Sequence, residues 1–165
     1  MESDFEMDVR AFLAAEPFNL RGVPREKLDV FCTALTHDSY SNEMLDSDPP
    51  RRVESYERLE FLGDAILEFL VCEEVYGKTE LREGAMTDYK QDKVANMMLS
   101  DRVLAHGIGI DAVMRVGGGH RDRRKGNNLI EPNMRADSFE ALIAATYLTY
   151  GLDKVREIVS KVVLS

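Results

Sequence analysis

The chain has 165 residues, 44% of them apolar and 31% charged, with a formal net charge of −9. Those proportions describe one globular domain able to bury roughly 68–70% of its unfolded surface, and they exclude a protein that holds nucleic acid by bulk positive charge. No run approaches the roughly 20 apolar residues that span a bilayer, and the acidic first ten residues are unlike a secretory leader, so a cytoplasmic location without membrane contact is expected.

Helical periodicity dominates, and no stretch alternates as strands do, so the expected fold class is all-α. Helices are predicted over Asp4–Ala15, Arg25–Leu35, Ser55–Tyr76, Ala85–Val94, Met97–His106, Pro132–Tyr150 and Asp153–Val163. Pro24 suits an opening and Pro132 a first helical position, while Gly77 and Gly107 follow helices as terminators. Residues 1–24 read as a helical extension packed on a domain formed by 25–165, and Asp46–Arg52 reads as a polar loop. Cys32 and Cys72 lie in apolar helical contexts and read as buried thiols.

A local basic footprint stands against the acidic average. The stretch "RVGGGHRDRRK" carries Arg115, Arg121, Arg123, Arg124 and Lys125 against the single acid Asp122. Three successive glycines, Gly117 to Gly119, predict a flexible loop. It reads either as a solvated surface loop or as a mobile basic arm for phosphates.

The informative stretch is "ERLEFLGDAILEFLVCEEVYG", apolar around almost its whole circumference yet carrying Glu57, Glu60 and Asp64. Spacings of three and four put these acids on one helix face. A helix so apolar reads as central and buried, and buried carboxylates require a counter-charge. A second pair, Asp137 and Glu140, sits three apart in "RADSFEALIAATYL", where small alanines permit close helix approach. Crossing at their acidic faces, the two helices would gather Glu60, Asp64, Asp137 and Glu140 around a cation. Arg58 and Arg135 are the nearest basic residues and do not balance all of these acids. Oxygen ligands without His or Cys select hard ions. Mg²⁺ is the expected cofactor, with Mn²⁺ as substitute, in an arrangement suited to phosphodiester hydrolysis.

Together, "ALTHDSYSNE" (Ala34–Glu43), "ERLEFLGDAIL" (Glu57–Leu67) and "ADSFEALIAATYL" (Ala136–Leu148) resemble the nuclease domain of ribonuclease III, and Leu81–Gly109 resembles its middle helices. The resemblance covers about Leu28–Ser165. It implies an all-α endonuclease fold forming a symmetric homodimer that cuts double-stranded RNA with Mg²⁺, leaving 5′-phosphate and 3′-hydroxyl ends with short 3′ overhangs. It implies that Glu60, Asp64, Asp137 and Glu140 bind metal, with Asp64 and Glu140 catalytic and Glu57 an accessory acid. Phe61 and Leu62 would lie at the dimer interface, and Arg115, Arg121, Arg123, Arg124 and Lys125 would contact RNA. His37, in the "THDS" turn, is expected to form structural hydrogen bonds.

The chain departs from the family pattern at Tyr56, where many members have Asn, at Ala144, where Gly is usual, and at Thr149, where Asp is common. It also ends at Ser165, where most bacterial members continue into a double-stranded-RNA-binding domain, as a minimal enzyme or as part of a longer protein would. A −9 chain implies weak, salt-sensitive RNA binding directed at A-form shape. Two competing readings are a non-catalytic RNA-binding or scaffold protein on this fold and an all-α nucleotide pyrophosphohydrolase, which also pairs acids three apart.

Overall fold

The computed structural model describes all 165 residues as nine α-helices with one short hairpin. Helix α1 (Asp4–Ala14) starts with a reciprocal cap: the Ser3 hydroxyl accepts the Glu6 N–H and the Glu6 carboxylate accepts the Ser3 N–H. Its buried Val9 and Leu13 join Phe18 in the core. Helix α2 (Arg25–Ala34) buries Leu28, Phe31 and Cys32. Then come α3 (Asp38–Leu45), α4 (Glu57–Lys78), α5 (Glu83–Val94), α6 (Asn96–Ala105) and α7 (Ile110–Val113). Strands β1 (Arg121–Asp122) and β2 (Asn127–Asn128) form a hairpin ahead of α8 (Pro132–Tyr150) and α9 (Leu152–Val162).

The central helix is α8, packed by α2, α4, α6, α7 and α9. From Met134 to Thr146 every residue except Asp137 is buried, so fixing this helix secures most of the core. Helix α4 is not the central one, contrary to the expectation from its composition. It buries Leu59, Gly63, Leu67, Leu70, Val71 and Val75 against α8 and its neighbours. It leaves Phe61, Ala65, Phe69, Cys72 and Tyr76 exposed. Composition cannot distinguish a helix buried inside its own chain from one whose second apolar face awaits another surface.

The seven predicted helices are present with ends shifted by two residues or fewer, and two shorter helices and the hairpin are additional. Helix α3 is eight residues long and mostly polar, and α7 spans a single turn, so neither carries a readable apolar period. Helix α3 starts at His37, whose ring Nδ1 accepts the Ser39 N–H at 3.2 Å and closes the first turn. Cys32 is buried as expected, its thiol pushed up to about 11 by desolvation. Cys72 is exposed, because it falls on the outer face of α4.

The basic segment is also more ordered than its glycines suggest. The Arg115 N–H donates to Leu35 O at 2.7 Å and the His37 N–H to Arg115 O at 2.9 Å, locking residues 35–37 beside 115 as a short parallel bridge. Gly117 is wedged against α3: a Cβ there would lie 2.9 Å from Ser39 O and 3.0 Å from Glu43 Oε1. Its N–H donates to Ser39 Oγ, and the Gly118 N–H to Glu43 Oε1. This glycine permits close packing rather than motion.

Candidate metal centre

Four elements build the site: α4, α8, the first turn of α6 and the residue that opens α4. Helices α4 and α8 meet most closely at Gly63, where an added Cβ would lie 1.7 Å from the Glu140 carbonyl oxygen. Only glycine permits that approach, and the acids Glu60 and Asp64 flank it by three residues and one. The crossing therefore brings the acids of α4 onto those of α8. Carboxylate oxygens of Glu60, Asp137 and Glu140 lie within 4.8 Å of one another. Asp64 is outside that tightest group but close enough to be the strongest charged neighbour of Glu140. Glu57 is exposed and reaches Glu60 through its charge.

The electrostatics show strain without an ion. Glu140 is 2% exposed. Burial, reinforced by the charges of Asp64, Glu60 and Asp137, pushes its carboxyl up to about 9. Glu60 is raised by burial and then by Asp137, Asp64 and Glu57. Asp137 is raised by burial, with Asn96 and Tyr56 opposing the rise by hydrogen bonding. No Lys or Arg offsets the cluster. Arg135, the expected neighbour, is turned away: its guanidinium holds Asp111 at 2.6 and 2.7 Å and donates to Ser100 Oγ at 2.7 Å. That half-buried ion pair ties α6, α7 and α8 together beside the site.

Three converging carboxylates, one almost fully buried and none with a cationic partner, fit a hard divalent cation. A bound ion would compensate the repulsion that otherwise favours protonation of Glu140.

The structure adds Asn96 and Gly63, which the sequence did not single out, and gives Tyr56 and His37 their contacts. Asn96, first in α6, donates its amide to Asp137 Oδ1 at 3.4 Å and to Asn133 Oδ1 at 3.3 Å. Tyr56 is buried behind Asp137, and its ring meets His37 edge-on at 5.7 Å. His37 in turn packs against His120 at 4.9 Å and is lowered by burial. Gly63 had a readable signal, a glycine inside a helix between two acids, which marks close approach. Asn96 had none, because its role depends on contacts more than 35 residues away along the chain, and Tyr56 stood out only as a departure from the family pattern, its contact with Asp137 being equally remote.

Of the basic residues, Arg121, Arg123, Arg124 and Lys125 are exposed on the hairpin and form no ion pair. Arg115 is half-buried and pinned in place, unlike a residue on a mobile arm. Its guanidinium donates to Thr36 Oγ1 at 3.0 and 3.2 Å and sits 4.3 Å from the Phe5 ring and 4.5 Å from the Tyr40 ring.

An all-α domain with a carboxylate cluster at a glycine-mediated helix crossing is a framework that could hold a divalent ion. Residues 28–165 match the Ribonuclease-III-like family model, and the chain belongs to the ribonuclease III family. It is 33% identical over 147 residues to Ribonuclease 3 of Onion yellows phytoplasma, covering 89% of this chain and 57% of that protein. It is 36% identical over 134 residues to Ribonuclease 3 of Mesoplasma florum, covering 81% and 53%. The chain thus spans a little over half the length of these relatives. In fold it is similar to the nuclease domain of ribonuclease III from Campylobacter jejuni, with a TM-score of 0.68 and 21% identity, covering 96% of this chain and 93% of that one. That structure was described for flexibility in its dimer-forming region.

Proposed function

We propose that the chain is an endoribonuclease that cleaves double-stranded RNA by Mg²⁺-dependent phosphodiester hydrolysis, with Mn²⁺ as a working substitute. The observation that carries this reading is the convergence of Glu60, Asp137 and Glu140 within 4.8 Å, with Asp64 beside them. Glu60, Asp64, Asp137 and Glu140 would hold the ion. When bound there, the ion supplies a Lewis acid for the phosphodiester and lowers the pKa of an attacking water. Asp64 and Glu140 border the reacting phosphate and orient water, while Asn96 and Tyr56 keep Asp137 directed inward. Glu57, on the exposed turn, tunes the local field. Products carry 5′-phosphate and 3′-hydroxyl ends with short 3′ overhangs.

The working unit is a symmetric homodimer. Phe61 is 81% exposed, which is unfavourable for a phenyl ring in water. Beside it lies a cleft of about 460 Å³ lined by Val30, Leu59, Leu62 and Leu148, with a polar remainder that includes Asp29, Glu54 and Arg58. Under two-fold symmetry each Phe61 enters the cleft of the other copy, and Leu62 closes its edge. Two copies place two acidic centres on one duplex, one for each strand. Arg121, Arg123, Arg124 and Lys125 offer phosphate contacts from the hairpin, and recognition rests on A-form shape and 2′-hydroxyls rather than base edges.

The test incubates the protein with long duplex RNA, duplex DNA and nucleoside triphosphates, each with Mg²⁺ or EDTA, and resolves the products. Mg²⁺-dependent shortening of the RNA duplex alone is the expected result. Hydrolysis of the triphosphates, or no Mg²⁺-dependent cutting of any substrate, would refute the reading.

A further inference from the structure

A second cavity, of about 470 Å³, opens away from the carboxylates between α1, α3, the segment before Gly117 and the hairpin. Its polar lining is concentrated in Asp8, Tyr40, Arg115, Arg121 and Asn127, over an apolar floor that includes Val113. Arg115 and Arg121 form no ion pair. Two of the Arg115 nitrogens are committed to Thr36 Oγ1, which leaves Nη1 for a ligand. The Phe5 and Tyr40 rings flank that guanidinium and hold it in place. The neighbouring Asn128 amide is fixed by donation to Asp111 O at 2.9 Å and Met114 O at 2.8 Å. That anchorage presents the exposed Asn127 amide, which has no partner in the protein, at the rim.

We infer that this cavity is a binding site for one phosphorylated nucleotide, free or as an unpaired nucleotide of an RNA strand. Its volume falls within the range of small-ligand sites. The Arg121 guanidinium suits a phosphate by bidentate hydrogen bonding, and Arg115 adds its Nη1. The Asn127 amide and the Asp8 carboxylate supply acceptors and donors for a base edge, and aromatic and apolar groups supply a surface for the base plane. Phe5 and Asp8 come from α1, outside the residues matched by the family model. It is independent of the carboxylate centre, because none of its lining residues belongs to that cluster.

The experiment measures binding in EDTA, where no cleavage intervenes. Nucleoside 5′-monophosphates, the matching nucleosides, ribose 5-phosphate and inorganic phosphate are titrated by calorimetry into the full chain. Blunt duplex RNA and the same duplex with a single-stranded flank are titrated in parallel. Saturable binding of at least one monophosphate is expected, at least tenfold tighter than inorganic phosphate, with Asn127→Ala and Arg121→Gln each weakening it tenfold or more. Preference for the flanked over the blunt duplex would assign the strand as source, and equal binding of the two would assign the free nucleotide. Absence of monophosphate binding overturns the proposal, as does equal affinity for inorganic phosphate. Binding that both variants leave unchanged overturns it too. Circular dichroism of both variants separates lost binding from lost folding, since Asn127 and Arg121 are exposed.

Discussion

Gly63→Ala tests the geometry on which the metal centre depends. An alanine Cβ would lie 1.7 Å from the Glu140 carbonyl oxygen, whereas ordinary contact begins at 3.4 Å. The obstructing atom is backbone and cannot rotate away, so α4 and α8 must part by about 1.7 Å or distort. Overpacking of this kind costs about 3 kcal/mol at the upper end of its usual range. Replacing glycine in a helix returns about 1 kcal/mol. The net loss of about 2 kcal/mol corresponds to a fall in Tm of about 4–8 °C for a chain of this size. The effect on the ion is larger in proportion, because Mg²⁺ demands near-ideal geometry at about 2.0–2.1 Å, and such a separation removes α4 ligands from α8 ligands. Thermal unfolding with and without Mg²⁺ reads both effects: Gly63→Ala lowers Tm and abolishes the rise on adding the ion. Gly77→Ala, in the same helix with nothing within 4 Å, is the control and should stabilise by about 0.4–1 kcal/mol. A Gly63→Ala protein with unchanged Tm and an intact Mg²⁺ response would refute the close-crossing argument.

Three further outcomes follow from the same site and the exposed face of α4. The folded Glu140 carboxyl is raised to about 9, above an unfolded value near 4.3, so its stabilising effect is complete below pH ~4.3 and is lost as pH rises through about 9. Mg²⁺ favours the ionised form, so the rise in Tm on adding it should grow with pH across that window; a pH-independent rise would contradict the assignment. Glu140→Gln removes the buried acid at nearly constant volume: Tm in EDTA at pH 8 should increase, while duplex RNA cleavage falls by at least about 100-fold, since even residues that merely support ligands cost 10–100-fold. Retained turnover removes Glu140 from the centre. Phe61→Asp should give monomers in sedimentation experiments with helical content unchanged, because the ring is 81% exposed within the single chain; persistence of the dimer would place the interface elsewhere.

The sequence displayed the acids and the helices that carry them because both follow local periodicity. Asp137 and Glu140 sit three apart, Glu60 and Asp64 four apart, and either spacing defines a face whatever lies opposite. Burial was legible where one face alone is apolar, as in α9, where Val155, Ile158, Val159 and Val162 recur at helical spacing and are all fully buried. It was misread in α4, whose second apolar face remains exposed at Phe61, Phe69 and Tyr76, because hydrophobicity records a preference for burial and not the surface that provides it. The ordered position of Arg115 was not legible either. Phe5, Thr36 and Tyr40 engage its guanidinium from 75 or more residues away, and three adjacent glycines signalled looseness where one of them provides a tight contact.

The location of the acids beside the Gly63 crossing has a physical consequence. Close helix crossing excludes water from Glu140, and water is what would otherwise screen its charge from those of its half-buried neighbours Glu60, Asp64 and Asp137. The same Gly63 contact that places Glu140 at 2% exposure therefore makes its ionised form unfavourable unless a cation is present. Replacing the buried Glu140 with an apolar residue of similar size should stabilise the chain, as it does for other buried charged groups. A fold optimised for stability alone would not retain carboxylates there. The destabilisation is a reserve of free energy that ion binding can recover, and it couples occupancy of the centre to the packing of α4 on α8. Metal binding should accordingly protect amides of both helices from hydrogen exchange together. Protection confined to the four ligand residues would show that the ion is held without this coupling.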